Sequence, residues 1–371
     1  MEKIFDYVNK YGNYDFDEKA LGELDMLIFS HLSYLDLSNF KDGLIYDIGL
    51  SLKNYDASNL GDSVKTAYKL LSLIYDKKRY KNITMFNYKY ILTDDVQVGV
   101  LSLKLLNNDV VISFEGTDNT FIGWKEDFAL SYEYPTKSHL IASKYVSDTL
   151  NKNNCNIYLC GHSKGGNLAL VSALRLLPSK KGKIKKIYSF DGPGIPGDIF
   201  KSMDYDMIKD RLINIIPNYS IVGVLLYQEN LNVIKSDEIG IMQHEISSWK
   251  VEDDHLLRCE ESSLSKDLAI SIKTWLKKTA KEERRQIIND VFNIFIKSGI
   301  KTTDDIKENK IKSASVLLKN LTYFSKETKI LINNYFKLLI GEFGNNIIND
   351  KKLVIKEKLK EIKDIDINNF K

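Results

Sequence analysis

One short segment, Cys160-Gly161-His162-Ser163-Lys164-Gly165-Gly166-Asn167, constrains this chain more than any other. Ahead of it runs Asn156-Ile157-Tyr158-Leu159-Cys160, of a length and apolarity that predict a buried strand. Behind it, Leu168, Ala169, Leu170, Val171, Ala173 and Leu174 form the apolar face of a predicted helix. Gly161, Ser163 and Gly165 therefore spell G-x-S-x-G at a strand-to-helix turn, where a serine is held on a strained corner above a sheet. Glycines two positions either side let the backbone approach itself without Cβ clashes. Ser163 is thus a candidate nucleophile, and the N-terminus of the following helix adds positive potential for an oxyanion. The residue after such a nucleophile donates its backbone N–H, which assigns an oxyanion role to Lys164. Its ammonium is expected to be a solvated charge or a substrate contact. His162 adjoins the serine but points elsewhere in such a turn, so packing or a nearby hydrogen bond is expected of it rather than base catalysis.

Strands and helices alternate around this corner. Helical patterns cover Leu24 to Phe29, Val64 to Tyr75 and about His139 to Leu150, with Asp62-Ser63 as polar capping residues before the second. Gln97 to Leu105, the turn Asn107-Asn108-Asp109 and Val110 to Phe114 read as a β-hairpin. Further strands are expected at Ile184 to Phe190 and Arg211 to Ile216. Continuous apolar strands alternating with helices predict a mostly parallel sheet flanked by helices, an α/β-hydrolase fold with an N-terminal helical segment over residues 1–260. Beyond it the chain turns Lys-, Ile- and Asn-rich and lacks proline. Helices are expected at Ser265 to Lys278, Glu282 to Ser298, Lys312 to Tyr323 and Glu327 to Phe343. Residues 261–371 are therefore read as a helical C-terminal region packed on the hydrolase body.

Lysine and arginine number 53 against 50 acids, a net charge of +3, which gives no case for a nucleic-acid binder. Cys155, Cys160 and Cys259 fit neither a metal pattern nor a disulfide framework, and reduced thiols are the simplest account. The N-terminus has no apolar secretory core, and no run reaches the ~18 apolar residues of a membrane span. A cytoplasmic location is expected, with any contact with lipid peripheral. No metal or organic cofactor is called for.

A second segment, Val111-Ile112-Ser113-Phe114-Glu115-Gly116-Thr117-Asp118 followed by Gly123-Trp124-Lys125-Glu126-Asp127-Phe128, resembles the strand and loop of class 3 (fungal-type) lipases. Together with Gly-His-Ser-Lys-Gly-Gly-Asn and Phe190-Asp191-Gly192-Pro193-Gly194, it is similar to a lipase-3-like family of Gram-positive bacterial proteins, over nearly the whole chain. The resemblance implies a second oxyanion donor at Thr117, whose backbone N–H and hydroxyl at a strand end suit a developing charge. Glu115 stands where those lipases carry arginine, which removes the ion pair of that arginine but not the backbone donor. Trp124 and Asp127 are expected to brace the loop.

A nucleophilic serine needs a base, and chain order in this fold places the histidine last. Of His31, His139, His162, His244 and His255, only the last two follow the later strands. His255 lies in a charged run and reads as solvated, whereas Gln243-His244, with Trp249 close behind, is similar to the family's histidine stretch. The resemblance places the acid after the strand at Arg211 to Ile216, but Ser220 stands where that aspartate would be. Asp191, at the end of the preceding strand, is the expected replacement. It also fits an Asx-turn with the glycines and proline after it, and Asp237 or a dyad assisted by Ser220 are the alternatives.

These residues predict a serine hydrolase acting on a carboxylic ester, small-molecule or lipid, through an acyl-enzyme on Ser163. A degenerate hydrolase fold used for binding, and a thioesterase or peptidase on the same fold, are alternatives that the elbow cannot separate. The apolar run Ile221 to Leu226 and Phe121-Ile122 could line an acyl pocket or lid, or be plain core.

Overall fold

Strand order follows chain order. The computed structural model describes residues 2–93, 96–117, 121–297, 325–326 and 328–331. In it β1 (Gly43–Leu44), β2 (Thr84–Thr93), β3 (Val96–Lys104), β4 (Val110–Phe114), β5 (Ile157–His162), β6 (Ile184–Phe190), β7 (Leu212–Pro217) and β8 (Leu231–Ile234) lie side by side in sequence. The first four pair antiparallel and β4 to β8 pair parallel. The hairpin expected from the Asn107–Asp109 turn is β3–β4, and Asn108 takes the left-handed conformation at φ 66°.

Helices cover both faces. α1 (Ile4–Tyr11), α2 (Glu23–Leu32), α3 (Ile45–Leu52) and α4 (Asp62–Ile74) precede β2, and α2 packs on β4, β5 and β6. α5 (Phe121–Ala129) and α6 (Lys137–Lys152) connect β4 to β5, and α7 (Lys164–Leu174) connects β5 to β6. The two-residue period of the strands divides their side chains between the layers. Val111, Cys160, Tyr188 and Phe190 join the core under α2 and α4, whereas Ile112, Leu159 and Ile187 join the core under α6 and α7. Burial on both faces is why these strands read as unbroken apolar runs.

The single-turn helices α8 (Pro178–Lys181), α9 (Gly197–Phe200) and α10 (Met203–Asp206) punctuate the later connections. α11 (Ser263–Lys278) and α12 (Lys281–Lys297) then close a third core. Leu268, Ile272 and Trp275 from α11 and Ile288 and Phe292 from α12 pack with Ile221, Val222, Val224, Leu225 and Leu226. The apolar run 221–226 is therefore core beneath α11 and α12. The side chains of Phe121 and Ile122 lie outside the described residues.

A buried ion pair holds the N-terminal layer in place. Arg79 bonds both carboxylate oxygens of Asp25 on α2, at 2.7 and 2.6 Å, in the two-pronged geometry that makes guanidinium–carboxylate pairs strong. Tyr7 and Tyr80 donate to the same carboxylate.

Several elements were not evident from periodicity. β2 is half-exposed and its pairing register shifts between Phe86 and Lys89, where Asn87 has φ 54°, while β8 spans only four residues. Gly123 to Phe128, expected to be loop, lies on α5. Asp62 is already the first residue of α4, with Gly61 at the N-cap and no side-chain cap. The helix expected at Lys312 to Tyr323 lies outside the described residues, as does most of that at Glu327 to Phe343.

Candidate active site

Four adjacent parallel strands end in a row at Phe114, His162, Phe190 and Pro217. Thr117, Ser163, Asp191 and Ser220 follow these ends within three residues, so strand pairing gathers at one sheet edge residues far apart in the chain. Carboxyl ends of parallel strands are where such sheets present their sites.

Ser163 sits at φ 56°, ψ −132°, a conformation costly for a residue with a side chain. The corner is locked on both sides, with the Ser163 N–H donating to the Phe190 carbonyl at 2.8 Å and its own carbonyl accepting from Gly166 at 2.9 Å. A Cβ on Gly161 would fall 2.2 Å from the Gly165 carbonyl carbon, and one on Gly165 would fall 2.1 Å from the Phe114 oxygen. The two flanking glycines are thus required by close approach of one backbone to another.

His244 closes the 3₁₀ turn Gly240–His244, and its Nδ1 lies 2.6 Å from Asp191 Oδ2. A carboxylate only accepts, so Nδ1 carries the proton and donates it to Asp191. The second oxygen, Oδ1, accepts from Ser220 Oγ at 2.5 Å and from the Gly223 N–H at 3.1 Å. Asp191 is itself held at φ 48° and is 1% exposed. Burial works against a charged imidazole at His244, but the hydrogen bond and charge of Asp191 outweigh it and raise the pKa above 6.5. The loop is braced by Trp249 Nε1, which donates to the Gln243 carbonyl at 2.7 Å, and by Gln243, which accepts from the Tyr219 N–H at 3.1 Å. Asp237 is elsewhere, a surface partner of Lys3 and Lys250, and His255 is exposed beside Asp254 and Glu252.

Gly116 abuts Ser163, since a Cβ there would lie 3.0 Å from Ser163 Cβ and 2.6 Å from the His162 oxygen. Thr117 follows it, buried, and its hydroxyl has no well-aligned hydrogen-bond partner among the described residues. That hydroxyl and the Lys164 ammonium lie near Asp127 on α5. Burial pushes the Asp127 carboxyl up to about 7, against the downward pull of Lys164.

The Lys164 side chain is neither solvated nor free for substrate, contrary to the expectation from sequence. It is 3% exposed, and its Nζ pairs with Glu126 Oε2 at 2.6 Å, while Glu126 Oε1 accepts from Ser138 at 2.5 Å. An ammonium buried at the start of α7 requires such a counter-charge. The pair pins α5 to the elbow, and Phe128 packs edge-on against Phe292 of α12 with ring centroids 5.7 Å apart.

Two residues that sequence reasoning did not bring to the site are Tyr34 and His31, from the α2 end of the chain. His162 is buried between them and His244, with ring centroids 5.0 Å from His31 and 4.4 Å from His244. Among the described residues no group of three or more His, Cys, Asp or Glu side chains is arranged to hold a metal ion, and no helix is long and apolar enough to cross a membrane. A separate cleft of about 400 Å³, lined by residues including Phe40, Tyr88 and Tyr90, includes none of the site residues.

No curated protein matches the chain. Among solved structures it is similar to the crystal structure of M37 lipase, at 19% identity and a TM-score of 0.36 over 55% of this chain and 70% of that one. A family model described as Mbeg1-like matches residues 74–293, more than half of the chain, so this α/β-hydrolase-fold protein belongs to the Mbeg1-like family.

Proposed function

We propose that the protein is a serine hydrolase that cleaves carboxylic esters, lipid or small-molecule, through an acyl-enzyme on Ser163. His244 acts as general base toward the Ser163 hydroxyl and then as general acid toward the leaving alkoxide. Asp191 holds the imidazole in the Nδ1–H tautomer and stabilises the imidazolium that forms. The N–H groups of Thr117 and Lys164 stabilise the tetrahedral oxyanion, and water, activated by His244, releases the acid.

The observation that carries this reading is the 2.6 Å bond from His244 to an Asp191 carboxylate that is itself held by two further donors. A surface histidine or a simple turn aspartate would not need that arrangement. A strained serine on the neighbouring strand end supports the same chemistry.

A fluorophosphonate probe tests it. Covalent labelling that disappears in Ser163→Ala and His244→Ala is expected, and folded wild-type protein that never labels would count against the reading. A series of p-nitrophenyl esters of rising chain length then defines the acyl group accepted.

A further inference from the structure

Tyr34, just beyond α2, is buried at the site, and its hydroxyl has two neighbours. It lies 3.1 Å from Nδ1 of His162 and sits against Gly116, where a Cβ would fall 2.2 Å from it. On the far side of that ring, Nε2 is 2.8 Å from the backbone oxygen of His244. The direction of each bond follows from donor chemistry alone. A carbonyl only accepts, so Nε2 of His162 carries the proton. A neutral imidazole then has a bare Nδ1, which only accepts, so the Tyr34 hydroxyl donates to it. The phenol oxygen in turn packs against the Gly116 backbone. Burial, with His244 and His31 adding to it, holds the His162 pKa well below 6.5, so the ring stays neutral as this chain requires.

We infer that Tyr34 and His162 are positioning residues for the proposed reaction, one phenol hydroxyl tying the Gly116–Thr117 strand end to the main chain of His244. The inference rests on His244 being the base. Neither residue touches the reacting atoms. Without the Tyr34 donor, Nδ1 of His162 is left buried and unpaired, and the ring loses the contact that fixes its position. The Nε2 bond to the His244 carbonyl then loosens and the His244 loop shifts. The charged and titratable groups around His244 are Asp191 at the end of β6, His162 on β5, Asp127 on α5, neighbouring Glu245 and, beyond His162, His31 on α2. Among them Asp191 supplies the hydrogen bond that holds the pKa up, and it is this bond that a displaced loop would stretch.

The test uses the full-length protein and the second-order rate of fluorophosphonate labelling across pH. Tyr34→Phe keeps the ring and removes only the hydroxyl. It is expected to label about tenfold more slowly, the loss of one aligned hydrogen bond, with the midpoint of the pH profile moved to lower pH. A Tyr34→Phe profile that superimposes on wild type would overturn the inference. A second measurement needs no variant: the side-chain ¹⁵N signals of His162 in folded wild type near neutral pH are expected to show a neutral Nε2–H ring, and the Nδ1–H tautomer would equally overturn it. Wild-type protein that never labels defeats the reading of Ser163 and His244 instead, which keeps the two failures distinct.

Discussion

Asp191 reaches His244 from the end of β6, and Ser220, one strand over beyond β7, donates to the other oxygen of the same carboxylate at 2.5 Å. The position where the resembling lipases carry their acid is thus occupied by a serine that hydrogen-bonds Asp191.

Asp191→Asn is expected to slow turnover or labelling by about 10³–10⁴-fold, because an amide fails to hold the Nδ1–H tautomer or stabilise imidazolium. Ser220→Ala removes one donor and is expected to cost about tenfold. The base must be neutral to work, so wild-type rate should rise with pH through a midpoint above 6.5, the direction in which His244 is shifted. In Asp191→Asn burial remains without the raising charge, and the midpoint should move down. Steady-state rates against pH check all four statements.

Replacing Glu126 should destabilise the fold while leaving the proposed backbone oxyanion donor intact. Glu126→Gln leaves the buried Lys164 ammonium without its counter-charge, at an expected cost of ~3 kcal/mol in chemical denaturation. Lys164→Met should recover most of that loss in the double variant and keep fluorophosphonate labelling, since the proposed donor is its main-chain N–H. Loss of labelling in a folded Lys164→Met protein would assign the side chain a direct role.

Ser163→Gly should be more stable than Ser163→Ala by ~1 kcal/mol, because glycine adopts φ 56° without strain, and both should be inactive. Gly165→Ala should lose both stability and labelling, as its Cβ would meet the Phe114 oxygen at 2.1 Å. Thermal melts of the three variants decide the order.

Acid should unfold the protein from about pH 6 downward. His31, held at about 3 by burial, His139, held at about 4, and His162, well below 6.5, are neutral when folded and protonate on unfolding. Folded pKa values below the unfolded 6.5 mean that the unfolded chain binds more protons, so stability falls as pH falls through this window. Asp127, raised to about 7, opposes one of the three, because the folded state binds its proton first. His244, shifted upward, adds stability already complete below pH 6.5. Between pH 6 and 5 the net uptake is about two protons, or ~3 kcal/mol per pH unit. Denaturant midpoints at intervals of half a pH unit measure the slope, and His31→Gln should lower it by one proton.

What the sequence by itself determined is local. The elbow at Gly161 to Gly165, the β3–β4 hairpin and the buried strands were legible because their side-chain period and turn residues act over a few positions. The choice of His244 came from chain order and resemblance and that of Asp191 from its place at a strand end, and their juxtaposition across 53 positions is made only where the 3₁₀ turn Gly240–His244 folds back over the end of β6. Tertiary structure alone decided the rest. Nothing near Tyr34 in the chain marks it for a site 128 residues away, and Lys164 reads as a surface lysine until α5 brings Glu126 against it. The physical reason is range: periodicity and turn chemistry are written in neighbouring residues, whereas hydrogen bonds and ion pairs between elements exist only once the sheet has set the elements side by side.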